Sequence, residues 1–205
     1  GVGGEFATAL RIRGVTFRGK GGTFCAGGDL KGFCTMIESG RSRDAVMALS
    51  RQAGELFHAV NELPQVTLML VEGMAMAGGL GLVCAGDVVA VTADARFALT
   101  ETMLGIPPAQ IAPLIVQRVG LATARRMMLT ASRFDGTQAQ RLGIADEVVD
   151  GADGFAAFEA ALRERVRQCA PGANATTKAL VLAAPQLVRD QMLERAAEDF
   201  ADCLL

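Results

Sequence analysis

Two glycine-rich stretches and one glutamate are the residues of this chain whose types and spacing can do chemistry. The stretches are Cys25-Ala26-Gly27-Gly28-Asp29-Leu30 and Ala77-Gly78-Gly79-Leu80-Gly81, and each follows an apolar run that reads as a strand, residues 9–17 and 66–71. Glycine just after a strand lets the backbone approach a ligand closely and turns N–H groups outward. Two such turns, if they converge, offer two backbone donors to one developing oxyanion. Glycine pairs also make plain tight turns. Spacing and content favour the functional reading: the second stretch falls at the start of a short predicted helix, where N–H groups lack partners and the dipole favours anions, and the first has only small residues where a flat, polar ligand could lie against the backbone. Glu101 is the lone acid in the small and apolar segment 97–105. A carboxylate in such surroundings has a raised pKa, suited to moving protons near neutral pH. The competing reading is a surface glutamate flanking a short helix.

Other candidates lack context. Gly14-Val15-Thr16-Phe17-Arg18-Gly19-Lys20 has the beginning of a phosphate loop, but Gly21 stands where Ser or Thr should hold magnesium, and no helix starts there. The single histidine, His58, falls in a helical pattern and reads as an ordinary helix residue. It is the sole candidate for a Ser–His–Asp or Cys–His arrangement, and neither local signature is present; a histidine-based metal site is equally unsupported. Cys25, Cys34, Cys84, Cys169 and Cys203 are odd in number and form no C-x-x-C pair. Free thiols in a reducing cytoplasm are expected.

The elements that must position these residues follow from periodicity. Helices are predicted over 44–61, ended by Pro64, and over 79–84, 111–119, 122–130, 137–142, 155–169, 174–183 and from Pro185 onward. Strands are predicted over 9–17, 65–71, 87–92 and 144–149, with a short extended piece at 95–99. Strands alternating with helices give an α/β class. Beyond Gly151 the pattern is helical, so residues 1–150 read as the core and 151–205 as a helical C-terminal region. The 205 residues, about half apolar, can bury one sizeable core. The formal charge is −2, without a basic stripe and without Trp or Tyr, which argues against nucleic-acid binding. No apolar run reaches the length of a membrane span, and the N-terminal residues lack the features of a signal peptide.

Taken together these segments resemble the crotonase family, the enoyl-CoA hydratase/isomerase superfamily, over residues 10–182. The matching text is Gly22-Thr23-Phe24-Cys25-Ala26-Gly27-Gly28-Asp29-Leu30, then Val71-Glu72-Gly73-Met74-Ala75-Met76-Ala77-Gly78-Gly79, Ala85-Gly86-Asp87, and Ala95-Arg96-Phe97 through Glu101 to Gly105. Arg118-Val119-Gly120, Ala139-Gln140-Arg141-Leu142-Gly143 and Asp146-Glu147-Val148-Val149 continue it. The resemblance implies a ββα spiral core and acyl-CoA chemistry. By position it makes Gly28 and Gly78 the oxyanion-hole donors for a thioester oxygen and Glu101 the catalytic acid/base. Ala26, Asp29, Leu30, Gly79 and Gly105 fall at substrate- and CoA-binding positions. It implies no metal and no separate cofactor, CoA being part of the substrate, and a homo-trimer or dimer of trimers.

Two departures stand out. Family members that hydrate with two acids carry a glutamate three residues after the glycine matching Gly78, and here Gly81 stands there. A single acid can hydrate or can shuttle a proton between carbons, so hydratase and isomerase both remain, with a non-catalytic acyl-CoA-binding scaffold as a third reading. The text around Gly81 and 107–113 is similar to hydratases of branched glutaconyl-CoA substrates, where the glycine is not anomalous. The family also begins with an earlier hairpin and helix and ends with further helices, so the chain reads as a fragment.

Overall fold

The computed structural model describes residues 12–28, 40 and 42–205. Asp29, Leu30, Cys34 and the first part of the predicted strand 9–17 lie outside them. A four-stranded parallel sheet has the order β1 (Gly14–Arg18), β2 (Val66–Val71), β4 (Val88–Thr92), β7 (Glu147–Val149). A second sheet has the order β3 (Met74–Met76), β5 (Arg96–Ala98), β6 (Arg133–Asp135), with β3–β5 parallel and β5–β6 antiparallel. Helices α1 (Arg43–Asn61), α2 (Gly78–Cys84), α3 (Ala112–Val119), α4 (Leu121–Leu129) and α5 (Gly136–Arg141) lie in the connections between strands, and α6 (Gly151–Arg167), α7 (Pro171–Ala183) and α8 (Arg189–Leu204) follow β7. The α/β architecture agrees with the expectation from alternating patterns.

Strand β2 explains the layering. It lies between β1 and β4, and apart from the buried Thr67 its residues are apolar on both faces, as a central parallel strand requires. Met69 and Val71 point into the main core with Val89, Val91, Leu80, Val83 and Phe97. Leu68 and Leu70 point the other way, with Ala90, onto Phe155 of α6. This is the two-residue alternation of a pleated strand. The loop leading into β4 is pinned by Asp87, whose carboxylate accepts from Thr67 N (2.7 Å), Thr67 Oγ1 (2.9 Å) and Lys178 Nζ of α7 (2.8 Å).

Several boundaries differ from the sequence expectation. The predicted strand 144–149 is ordered as a strand at Glu147–Val149. Ile144 and Ala145 are buried, and both of their N–H groups bond to Ala139 O, closing the end of α5. Helix α6 begins at Gly151, four residues before its first periodic apolar residue. Helix α8 begins at Arg189, not Pro185, because residues 184–187 complete a turn that closes α7. Strands β3 and β6 were not predicted, being three residues each and too short to show a period.

A candidate active site at two converging turns

The second glycine turn is built into the core. Strand β3 pairs with β5, and Ala77 N–H continues that pairing by donating to Ala98 O at 2.8 Å. Ala77 then takes φ +49° and ψ −116°, a conformation costly for a residue with a β-carbon. That twist starts α2 at Gly78, whose N–H, as the first of the helix, has no intrahelical acceptor. Gly79, Leu80 and Gly81 are buried behind it.

The first turn is hung on the second. Phe24 N–H donates to Glu72 O (3.1 Å), Cys25 N–H to Met74 O (2.9 Å), and Met76 N–H back to Cys25 O (3.0 Å), a parallel bridge between Cys25 and Ala75. A β-carbon on Gly79 would stand 2.5 Å from Cys25 O, and one on Gly27 would stand 2.9 Å from Met76 O. Gly27 has φ +96° as well. The two turns therefore touch, and they touch because glycine occupies 27 and 79. Gly28 and Ala26 are exposed at the end of this bridge, Gly78 half-buried beside it.

The segment that carries Glu101 starts from the same tie. Three residues after Ala98, the chain enters a 3₁₀ turn, Glu101–Leu104, closed by Gly105 at φ +76°. Glu101 is 9% exposed, and its Oε2 is shut from solvent with no hydrogen-bond partner among the described residues. Burial raises its pKa above the ordinary glutamate value, with a hydrogen bond from its own backbone pulling the other way. A buried, unpaired oxygen on a group that ionises less readily than usual is the arrangement expected of a proton carrier. Its burial also rules out the surface-glutamate reading.

Three neighbours, Ile111, Gln110 and Phe57, were given no place at these turns by the sequence reading, although the first two fall in the segment 107–113 noted there. A β-carbon on Gly81 would overlap Ile111 Cγ2 and lie 2.6 Å from its Cβ. Ile111 thus fills the space in front of the position where two-acid relatives carry a glutamate. A β-carbon on Gly54, inside α1, would overlap Gln110 Oε1, while Gln110 Nε2 donates to Ser50 Oγ at 2.9 Å. A β-carbon on Gly78 would lie 3.4 Å from Phe57 Cζ. The available signal was glycine in a helix interior, which costs about 1 kcal/mol against alanine and marks close packing.

Other groups stand apart. His58 is exposed on α1, with Nδ1 4.0 Å from Glu62 Oε1. Cys25, Cys84, Cys169 and Cys203 are free thiols, and burial pushes the Cys84 thiol up to about 12, leaving it inert. Among the described residues no His, Cys, Asp or Glu cluster could hold a metal ion, and no helix is long and apolar enough to cross a membrane. A cavity of about 590 Å³ lies away from these turns, between β1–β2 and α6, lined by residues such as Arg13, Thr16, Glu159 and Arg163.

Known proteins share this fold. A family model described as enoyl-CoA hydratase/isomerase matches residues 5–201. The solved structure of Pseudomonas aeruginosa AtuE superposes with a TM-score of 0.94 at 42% identity, covering 99% of this chain and 78% of that one. An enoyl-CoA hydratase/isomerase from Marinobacter aquaeolei gives 0.92 at 39% identity, with the same coverages, 99% and 78%. The mitochondrial methylglutaconyl-CoA hydratase of Rattus norvegicus is 31% identical over 143 residues, 69% of this chain but 44% of its own length.

Proposed function

The chain belongs to the enoyl-CoA hydratase/isomerase family, and from that premise we propose that it adds water reversibly across an α,β-unsaturated acyl-CoA. The observation that carries the reading is Glu101, a buried carboxylate whose Oε2 has no hydrogen-bond partner among the described residues and whose pKa is raised. The N–H groups of Gly28 and Gly78 hold the thioester oxygen. The Glu101 carboxylate takes a proton from water as the water oxygen bonds to the β-carbon. Electron density moves to the thioester oxygen, and the resulting enolate is held by the two N–H donors. Protonated Glu101 then returns the proton to the α-carbon, on the face from which water came. CoA enters as part of the substrate, and no separate cofactor takes part.

The acyl group is a branched, glutaconyl-type one. Its support is the local text around Gly81 and Pro107–Pro113 and the likeness to the rat methylglutaconyl-CoA hydratase. The working form is a homo-trimer or dimer of trimers, a reading that suits the exposed Met103, Leu104, Leu121 and Leu129. The free cysteines suit a reducing cytoplasm.

One observation favours a second reading. Ile111 packed onto Gly81 leaves no room for a second acid at that position, and one acid, Glu101, is enough to move a double bond between carbons. Assaying the protein with matched 2-enoyl- and 3-enoyl-CoA esters separates the two: hydration predicts 3-hydroxyacyl-CoA from the 2-enoyl ester. Double-bond migration without hydroxy product would replace hydratase by isomerase. If neither ester reacts but both bind, the chain is an acyl-CoA-binding scaffold.

A further inference from the structure

Helix α1 presents Ser50, Gly54 and Phe57 at spacings of four and three, which puts them on one face. Each meets the site wall. Ser50 Oγ accepts from Gln110 Nε2 at 2.9 Å. Gly54 leaves the notch in which the Gln110 side-chain amide sits. Phe57, half-buried against the main core, brings Cζ to 3.4 Å from where a β-carbon of Gly78 would stand. The next residue after Gln110 is Ile111, seated on Gly81. Residues 110 and 111 therefore clip α1 and α2 together, and the clip sets the height of the Phe57 ring over Gly78.

We propose that Phe57 is a specificity-determining residue, the wall that excludes bulk at the acyl α-carbon while leaving the β-carbon free to carry a branch. The inference rests on the reading that Gly78 N–H receives the thioester oxygen. A carbonyl oxygen bonded to that N–H lies about 2.9 Å from the nitrogen. Its carbonyl carbon and α-carbon then fall within van der Waals reach of what flanks Gly78, and among the described residues the nearest side-chain atom on its β-carbon side is Phe57 Cζ. Methyl discrimination by an apolar wall is worth about 10- to 200-fold.

The test uses the full chain, as wild type, Phe57→Leu, Phe57→Ala and Gln110→Ala. Binding of two unreactive esters, butyryl-CoA and its α-methyl counterpart 2-methylbutyryl-CoA, is measured by calorimetry. Turnover is measured with crotonyl-CoA and its α-methyl counterpart. Wild type is expected to prefer the straight ester by about tenfold or more. Phe57→Ala should narrow that ratio about tenfold, Phe57→Leu less, and Gln110→Ala in the same direction by loosening the clip. Thermal melts identify any variant that fails to fold, and Phe57→Leu, which keeps most of the volume, then carries the comparison. An unchanged ratio in folded variants overturns the wall. A shifted binding ratio without turnover of any ester supports the wall and removes the proposed reaction. Turnover with an unchanged ratio keeps the reaction and removes the wall, and binding of neither ester removes both.

Discussion

The two glycine turns differ in how the chain holds them. The turn at 77–81 is enclosed: Gly79 and Gly81 are buried within α2, Gly78 is half-buried at its start, the Ala77 N–H is fixed to Ala98, and Phe57 and Ile111 press on it from outside. The turn at 25–28 is peripheral, with Ala26 and Gly28 exposed and its position taken from hydrogen bonds to β3. One turn is set by packing, and the other is suspended from it. The proposed oxyanion site built on them would have a fixed half and a half whose register depends on a few backbone contacts.

The largest break comes from removing the chemistry and leaving both turns in place. Glu101→Gln should lower turnover by about 10²- to 10⁴-fold, the range for a positioned acid/base, with acyl-CoA affinity kept within a few-fold by calorimetry. Loss of affinity equal to the loss of turnover would mean that the turns alone do not bind. Next, Gly79→Ala drives a β-carbon onto Cys25 O and should separate the suspended turn from the fixed one. Steady-state assays should lose about 10²- to 10³-fold in kcat, as for loss of one oxyanion donor, and the enclosed turn should stay folded by circular dichroism. Gly27→Ala strains the suspended turn through its φ of +96°. Its cost is about 1–3 kcal/mol in denaturant melts, and a smaller loss of turnover than Gly79→Ala is expected because the contact at 27 is looser.

The smallest effect is a stability change with pH. The Glu101 pKa is raised in the folded chain by burial, so its neutral form is the one the fold favours. Its contribution is whole below the ordinary glutamate pKa and is lost as pH rises through the raised value. Glu101→Gln should therefore melt higher than wild type at neutral pH, and the two curves should converge as pH falls below the ordinary glutamate range. A gap that widens on acidification would contradict the burial argument.

Much of the layout was legible in the sequence. The long α1 pattern, the β-branched runs of β2 and β4, and both glycine stretches carry their own period or composition. Glu101 was legible as a lone acid among small residues, and it follows a run, Phe97, Ala98 and Leu99, that is buried as well. What escaped depends on pairings between distant segments. The Cys25–Ala75 bridge joins residues fifty apart, and strands of three residues leave no periodic trace. Ala77 looks helical or neutral by type, yet it holds a positive φ because Ala98 fixes one side and α2 the other. Phe57 and Ile111 read as ordinary core residues, and only their juxtaposition with glycines gives them a role.

The packing of Ile111 on Gly81 bears on how this active site could change over generations. A glutamate at 81 has nowhere to go while Ile111 keeps its side chain. Shortening Ile111 first removes a buried side chain, a step of about 2–5 kcal/mol, before any second acid can repay it with new chemistry. In this chain the order of substitutions toward an acid at 81 is thus set by geometry: Ile111 must shorten before residue 81 can carry a longer side chain.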